Sequence, residues 1–196
     1  VFYFPTDGGG GLPHQCDHVL RRCPKAVAMS EFGQKQVKDM HGIDAHFIPH
    51  AVDTKVFYPA DKESAKAKFG LRGKFVVGVV ARNQPRKMLD RMLKAFAILA
   101  PKIPDAILFL HCDPEDPAAI FDLRVLASRL GIINRMRFTG IKYSKNMDYN
   151  QMNDVYNAMD VFFLSTSGEG FGIPIIEAMS AGVPVVATDY TTTEEL

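Results

Sequence analysis

Eight short apolar runs recur along the chain with amphipathic segments between them, and no other feature restricts the fold as much. The runs lie at 1–4, 26–29, 45–49, 75–81, 106–112, 136–139, 161–165 and 183–188. Most lack strict in–out alternation, which is the pattern of strands covered on both faces. The intervening sequence predicts helices at 14–22, 31–40, 62–69, 87–100, 117–130, 149–158 and 174–181. In the fourth of these, Met88, Leu89, Met92, Leu93, Phe96 and Leu99 recur at helical spacing, giving one apolar stripe. Ser30 reads as the N-cap of the second helix and Asp116 as that of the fifth, because each places a side-chain oxygen beside unpaired helix amides. Strands alternating with helices give an α/β fold, a Rossmann-like parallel sheet with right-handed crossovers and helices on both faces.

Composition narrows the class further. The 196 residues carry a net charge of +1, which gives no electrostatic footprint for a nucleic-acid partner. No apolar run approaches the ~20 residues of a membrane span. Cys16, Cys23 and Cys112 are an odd set without paired spacing, which argues against a disulfide framework and fits a reducing, cytoplasmic setting. His14, Cys16, His18 and Cys23 crowd together, but they lack the two tight pairs of a zinc site, and no metal is expected. The chain opens inside an apolar run without Met and stops as a helix begins. It reads as a fragment of a longer protein, truncated at both ends.

A seam falls in the aperiodic segment DTKVFYPA at 53–60. Residues 1–55 read as the end of one αβ domain plus a crossover. Residues 56–196 read as a second Rossmann-like domain, incomplete at its C-terminus.

Two segments carry candidate chemistry. The first, STSGEGFGIPIIEAMSA at 165–181, follows an apolar run and reads strand, glycine-rich loop, helix. Pro174 suits a first helical turn, where its missing N–H is not needed. Free amides at that helix start can hold a phosphate, and Glu177, a turn further on, leans back toward the same mouth. The second, ARNQPRK at 81–87, puts three cations where a strand ends and a helix begins. Ligands of open α/β sheets bind at such ends. Arg82, at the strand terminus, is expected to point into the cleft, and with Lys87 to neutralise a diphosphate. The glycine run DGGGG at 7–11 lacks the Lys-Ser/Thr of a P-loop and reads as a loop.

These elements resemble the donor-binding half of a retaining glycosyltransferase of family 4, with the GT-B fold. Glu169 and Glu177 form its E-x7-E element around GFGIP, and VVGVVARNQPRKMLDRMLKAFAIL resembles its strand–Arg–Lys–helix element. HFIPHAVDTKVFYP resembles its interdomain crossover, and AVAMSEFGQKQV the last strand and helix of its first domain. The resemblance implies transfer of a hexose from a nucleotide-diphosphate sugar, GDP- or UDP-linked, to an acceptor hydroxyl with retention of configuration and without a cofactor. It implies that Arg82 and Lys87 contact the diphosphate, Glu169 holds the sugar and Glu177 the ribose. The backbone amides of Phe171, Gly172 and Ile173 would meet the sugar and distal phosphate, and Gly140, Ile141 and Lys142 would pass near the base. The acceptor, whether carbohydrate, lipid or protein, is not specified. The resemblance also leaves open a peripheral membrane attachment of the parent, and it implies poor turnover by the isolated chain.

Each residue also has a plain structural alternative. Glu177 can serve as a helix-end carboxylate, Glu169 as a solvated loop residue and Phe171 as core. Two other functions fit the same pattern: a GT-B nucleotide-sugar 2-epimerase and a non-catalytic nucleotide-sugar-binding domain.

Overall fold

The structure, a computed structural model, describes residues 1–8, 12–140 and 147–196. The chain forms two compact units. One comprises Val1–Ala51, Ser167–Ile173 and Thr188–Leu196; the other comprises Val52–Thr166 and Pro174–Ala187. The division at 51/52 lies four residues before the sequence boundary at 55/56. Two later segments join the first unit, which local sequence does not signal.

In the first unit, strands β1 (Phe2–Phe4), β2 (Ala26–Ala28) and β3 (His46–Phe47) form a parallel sheet in that order. Helices α1 (Asp17–Arg22) and α2 (Glu31–His41) connect them. Ser30 caps α2 as expected, its hydroxyl accepting the Gly33 amide at 3.0 Å. Phe4, Leu20, Ala28 and Val37 are the centre of a small buried core.

The second unit opens with α3 (Lys62–Lys68). Its sheet contains β4 (Phe75–Val80), β5 (Ala106–His111), β6 (Met136–Phe138), β7 (Val161–Leu164) and β8 (Val185–Ala187), all parallel, in the order β6-β5-β4-β7-β8. Helices α4 (Leu89–Leu99) and α5 (Leu123–Arg129) pack on each other, as do α3 and α6 (Tyr149–Asn157); α7 (Ile173–Ser180) follows β7. Central β4 is almost wholly buried, consistent with its unbroken apolar sequence. The chain steps outward from β4 to β5 and β6, then returns to the other side of β4 as β7. That reversal is the topological switch point, outside which open α/β sheets form their binding crevice.

Two helix starts differ from the sequence reading. Met88 takes a left-handed conformation (φ 48°), so a 3₁₀ turn at Pro85–Lys87 precedes α4. The expected helix over 117–130 begins only at Leu123, with Asp122 as its cap, accepting the Arg124 and Val125 amides. Asp116 is not a helix cap: its carboxylate is taken by Arg82.

Candidate functional site

The 82–88 loop leaves β4 at the switch point and is fastened on both sides. Toward β5, Arg82 forms a two-pronged ion pair with Asp116, Nε to Oδ2 at 2.8 Å and Nη2 to Oδ1 at 3.2 Å. The Ala118 amide also donates to Asp116, at 2.8 Å. The Arg82 guanidinium beside it holds the Asp116 carboxyl below the usual range. Asn83 donates to the Pro114 carbonyl at 3.4 Å. Toward β7, the Ser165 hydroxyl donates to the Met88 carbonyl at 3.2 Å and the Thr166 hydroxyl to the Arg86 carbonyl at 3.2 Å.

The loop is therefore a rigid bridge across three neighbouring strand ends. Arg82, expected to point into the cleft, has its planar fork matched to the Asp116 carboxylate, the pairing guanidinium favours most. Lys87 closes the 3₁₀ turn with its side chain drawn inward and only 6% exposed. Burial of an ammonium is costly unless anionic or polar groups surround it. Such depth is unusual for lysine and marks Lys87 as the most constrained cation of the loop. Nearby, burial lowers the pKa of His111, at the end of β5, to about 4. Its ring is neutral near pH 7, with Nδ1 3.1 Å from the Thr139 hydroxyl.

On α7, Glu177 meets the side chain of Tyr156 from α6, whose hydroxyl donates to Glu177 Oε2 at 2.5 Å. Burial raises the Glu177 pKa, and the Tyr156 hydrogen bond opposes that rise. Burial first, then the Glu177 charge, push the Tyr156 phenol well above its ordinary value, so it acts as a fixed donor. Tyr156→Phe is expected to raise the Glu177 pKa further, because burial then acts unopposed. Carboxyl-carbon NMR titration measures this; an unchanged or lower midpoint contradicts the contact.

In the first unit, the 167–173 segment carries Glu169, Phe171, Gly172 and Ile173. Glu169 is 4% exposed, so it is not a solvated loop residue. Its amide donates to the Thr191 hydroxyl at 3.2 Å, and its carbonyl accepts from the Thr192 hydroxyl at 2.9 Å. Phe171 is buried and meets the His50 ring edge-on, centroids 5.2 Å apart. Its side chain is engaged in packing. Gly172 has φ 97°, a conformation that a Cβ would strain, and Ile173 begins α7. The first amides of any helix lack partners within it.

Gly140 follows β6 with φ 78°. Ile141 and Lys142 lie outside the described residues, as does most of the DGGGG run. Among the described residues, no group of three His, Cys, Asp or Glu is placed to hold a metal, and no helix is long and apolar enough to cross a membrane. Sequence reasoning missed Asp116 as an ion-pair partner, Tyr156, Ser165, Thr166, Thr191 and Thr192. Their partners are distant in sequence, and no local pattern marks them.

A family model described as "Glycosyl transferases group 1" matches residues 61–196. Among curated proteins, the chain is 34% identical over 153 residues to the lipopolysaccharide core biosynthesis mannosyltransferase LpsB of Rhizobium meliloti, covering 76% of this chain and 42% of that protein. It is 33% identical over 178 residues to D-inositol 3-phosphate glycosyltransferase of Mycobacteroides abscessus, covering 86% and 38%. Mannosylfructose-phosphate synthase of Agrobacterium fabrum is 29% identical over 183 residues, covering 88% and 38%. The chain thus spans about two fifths of the length of these relatives. Among solved structures, Anabaena Alr3699/HepE in complex with UDP and glucose aligns with a TM-score of 0.78 at 22% identity, covering 94% of this chain and 51% of that one. Sucrose-phosphate synthase from Thermosynechococcus elongatus aligns with a TM-score of 0.73 at 25% identity, covering 87% and 42%. The parallel sheets with helices on both faces are therefore those of the GT-B type.

Proposed function

The chain belongs to the group 1 glycosyl transferases, and from that we propose that it is the donor-side portion of a retaining family 4 enzyme. The proposed reaction moves a hexose from a GDP- or UDP-linked sugar to an acceptor hydroxyl. The observation that carries this reading is the 82–88 loop. It lies at the switch point, is hydrogen-bonded to the segments after β5 and β7, and presents a deeply set lysine.

In this reading Lys87 and Arg82 stabilise charge on the departing diphosphate, and Asp116 fixes the direction of the Arg82 fork. Glu177, held by Tyr156, accepts from the ribose hydroxyls. Glu169 orients the transferred sugar. The amides of Phe171, Gly172 and Ile173 meet the sugar and distal phosphate, while Gly140, Ile141 and Lys142 pass near the base. No protein nucleophile is required. The sugar–phosphate bond loosens, the acceptor oxygen attacks from the leaving group's side, and a phosphate oxygen takes the acceptor proton. The protein contributes positioning and preorganised charge, with no metal or cofactor assigned. The whole protein is proposed to act in the cytoplasm or at a membrane surface.

Calorimetric titration with UDP, GDP and ADP tests the donor assignment. Binding of UDP or GDP in preference to ADP is expected, and no binding of any of the three overturns it. Incubation of the full-length protein with donor sugar alone then tests the reaction class, because formation of an epimer points to a 2-epimerase.

A further inference from the structure

Immediately after β8, residues Thr191–Glu195 form a 3₁₀ turn, and three of its side chains make contacts that the site described so far does not explain. Thr191 and Thr192 are consecutive, almost fully buried, and grip opposite sides of one residue. The Thr191 hydroxyl accepts the Glu169 amide at 3.2 Å. The Thr192 hydroxyl donates to the Glu169 carbonyl at 2.9 Å and lies 3.4 Å from the Gly170 carbonyl. At the end of the same turn, Glu195 reaches the start of α2. Its Oε2 accepts the Glu31 amide at 2.9 Å and its Oε1 the Phe32 amide at 2.5 Å. Ser30 takes the Gly33 amide, so the first amides of α2 are occupied by side-chain oxygens. A carboxylate suits that place, facing the positive end of the helix dipole.

Thr191 also has φ 63°. A β-branched residue in the left-handed region is strained, and such strain persists only where the surroundings over-determine it. Glycine would relieve the strain but could not supply the hydroxyl that the Glu169 amide uses. The position thus keeps a costly backbone conformation together with a side chain that holds Glu169.

We propose that Thr191 and Thr192 are positioning residues that fix the backbone of Glu169, and that Glu195 anchors their turn to α2. The functional half of this inference rests on the donor-sugar role of Glu169 proposed above. Through this clamp the proposed sugar subsite is fixed by groups of the first unit itself.

The test uses Thr191→Val and Thr192→Val in the full-length protein; these keep shape and branching and remove only the hydroxyl. Thr191→Ser and Thr192→Ser restore the hydroxyl. Hydrogen exchange of the 167–173 segment reads the clamp whatever the substrate. Both valine variants are expected to speed exchange there, and both serine variants to return it toward wild type. Transfer kinetics and nucleotide binding read its consequence. The valine variants are expected to lower kcat/KM for the sugar donor about 10- to 100-fold, the scale of a small misplacement, with affinity for free UDP or GDP within twofold of wild type. Unchanged exchange in the valine variants overturns the clamp. Faster exchange with unchanged kcat/KM, or with nucleotide affinity falling in step, overturns its role at the sugar. Absence of any nucleoside diphosphate binding by wild type overturns the donor reading instead, and leaves the exchange result to decide the clamp.

Discussion

Lys87→Ala lowers kcat/KM for sugar transfer by about 10²–10³-fold, the scale on which losing one preorganised charge-stabilising donor acts in a well-studied serine protease. The expectation rests on place and rigidity. Lys87 closes the 3₁₀ turn Pro85–Lys87 within the 82–88 loop; the Arg86 and Met88 carbonyls of that loop are tied to the segment after β7, and its first residue, Arg82, is locked to Asp116. An ammonium held in this way does not reorganise as charge develops on the leaving diphosphate, so its whole interaction counts toward the transition state. Lys87→Arg is not a conservative replacement. The Lys87 side chain is only 6% exposed, and a planar fork in its place would present its donors in other directions. Transfer assays on folded protein, with thermal unfolding as a control, check both variants. A Lys87→Ala enzyme within threefold of wild type rules out the proposed role.

Gly168→Ala is the second large effect, and it acts on structure first. A Cβ at Gly168 would lie 1.8 Å from the Asp7 carbonyl oxygen and 3.0 Å from its carbon. Both sides of that clash are backbone, so rotamer changes cannot relieve it. Either the segment that follows β1 or the 167–173 segment must move by more than an ångström. Overpacking of this kind costs about 1–3 kcal/mol and more where the backbone resists. Gly8→Ala supplies the comparison, because a Cβ there meets nothing within 4 Å and such a surface change stays within about 0.5 kcal/mol. Urea unfolding should show a clearly lower midpoint for Gly168→Ala than for Gly8→Ala. Because Glu169 is the next residue, kcat/KM should fall as well. Equal midpoints for the two variants contradict the close approach.

The 167–173 segment, proposed to meet the sugar, and the 82–88 loop, proposed to meet the diphosphate, each make hydrogen bonds within their own unit. Lys87 depends on strand ends in one sheet. Glu169 depends on two threonine hydroxyls and on a turn anchored to α2.

Much of this architecture was legible in the sequence. The strand and helix order follows from the period of the apolar residues, a property of each segment alone. All eight strand expectations and all seven helix expectations overlap an observed element. The caps at Ser30 and Asp122 show the limit. Ser30 stands directly before an amphipathic segment, and local sequence identifies it. Asp116 stands before a proline and looks equivalent, yet the helix starts at Leu123 because Asp122 supplies the oxygen and Asp116 is committed to Arg82.

By itself, then, the sequence determined which segments are strands, that they run parallel, and which loops hold the charged and glycine-rich residues. Only the tertiary structure decided that β7 lies beside β4, that Arg82 faces Asp116, that Tyr156 holds Glu177, and that Thr191 and Thr192 clasp Glu169. Periodicity and capping arise from interactions within a few residues, so they are written in each segment. These pairings join residues from 21 to 84 positions apart, and they exist only once burial of the two sheets' apolar faces has fixed the order of the strands.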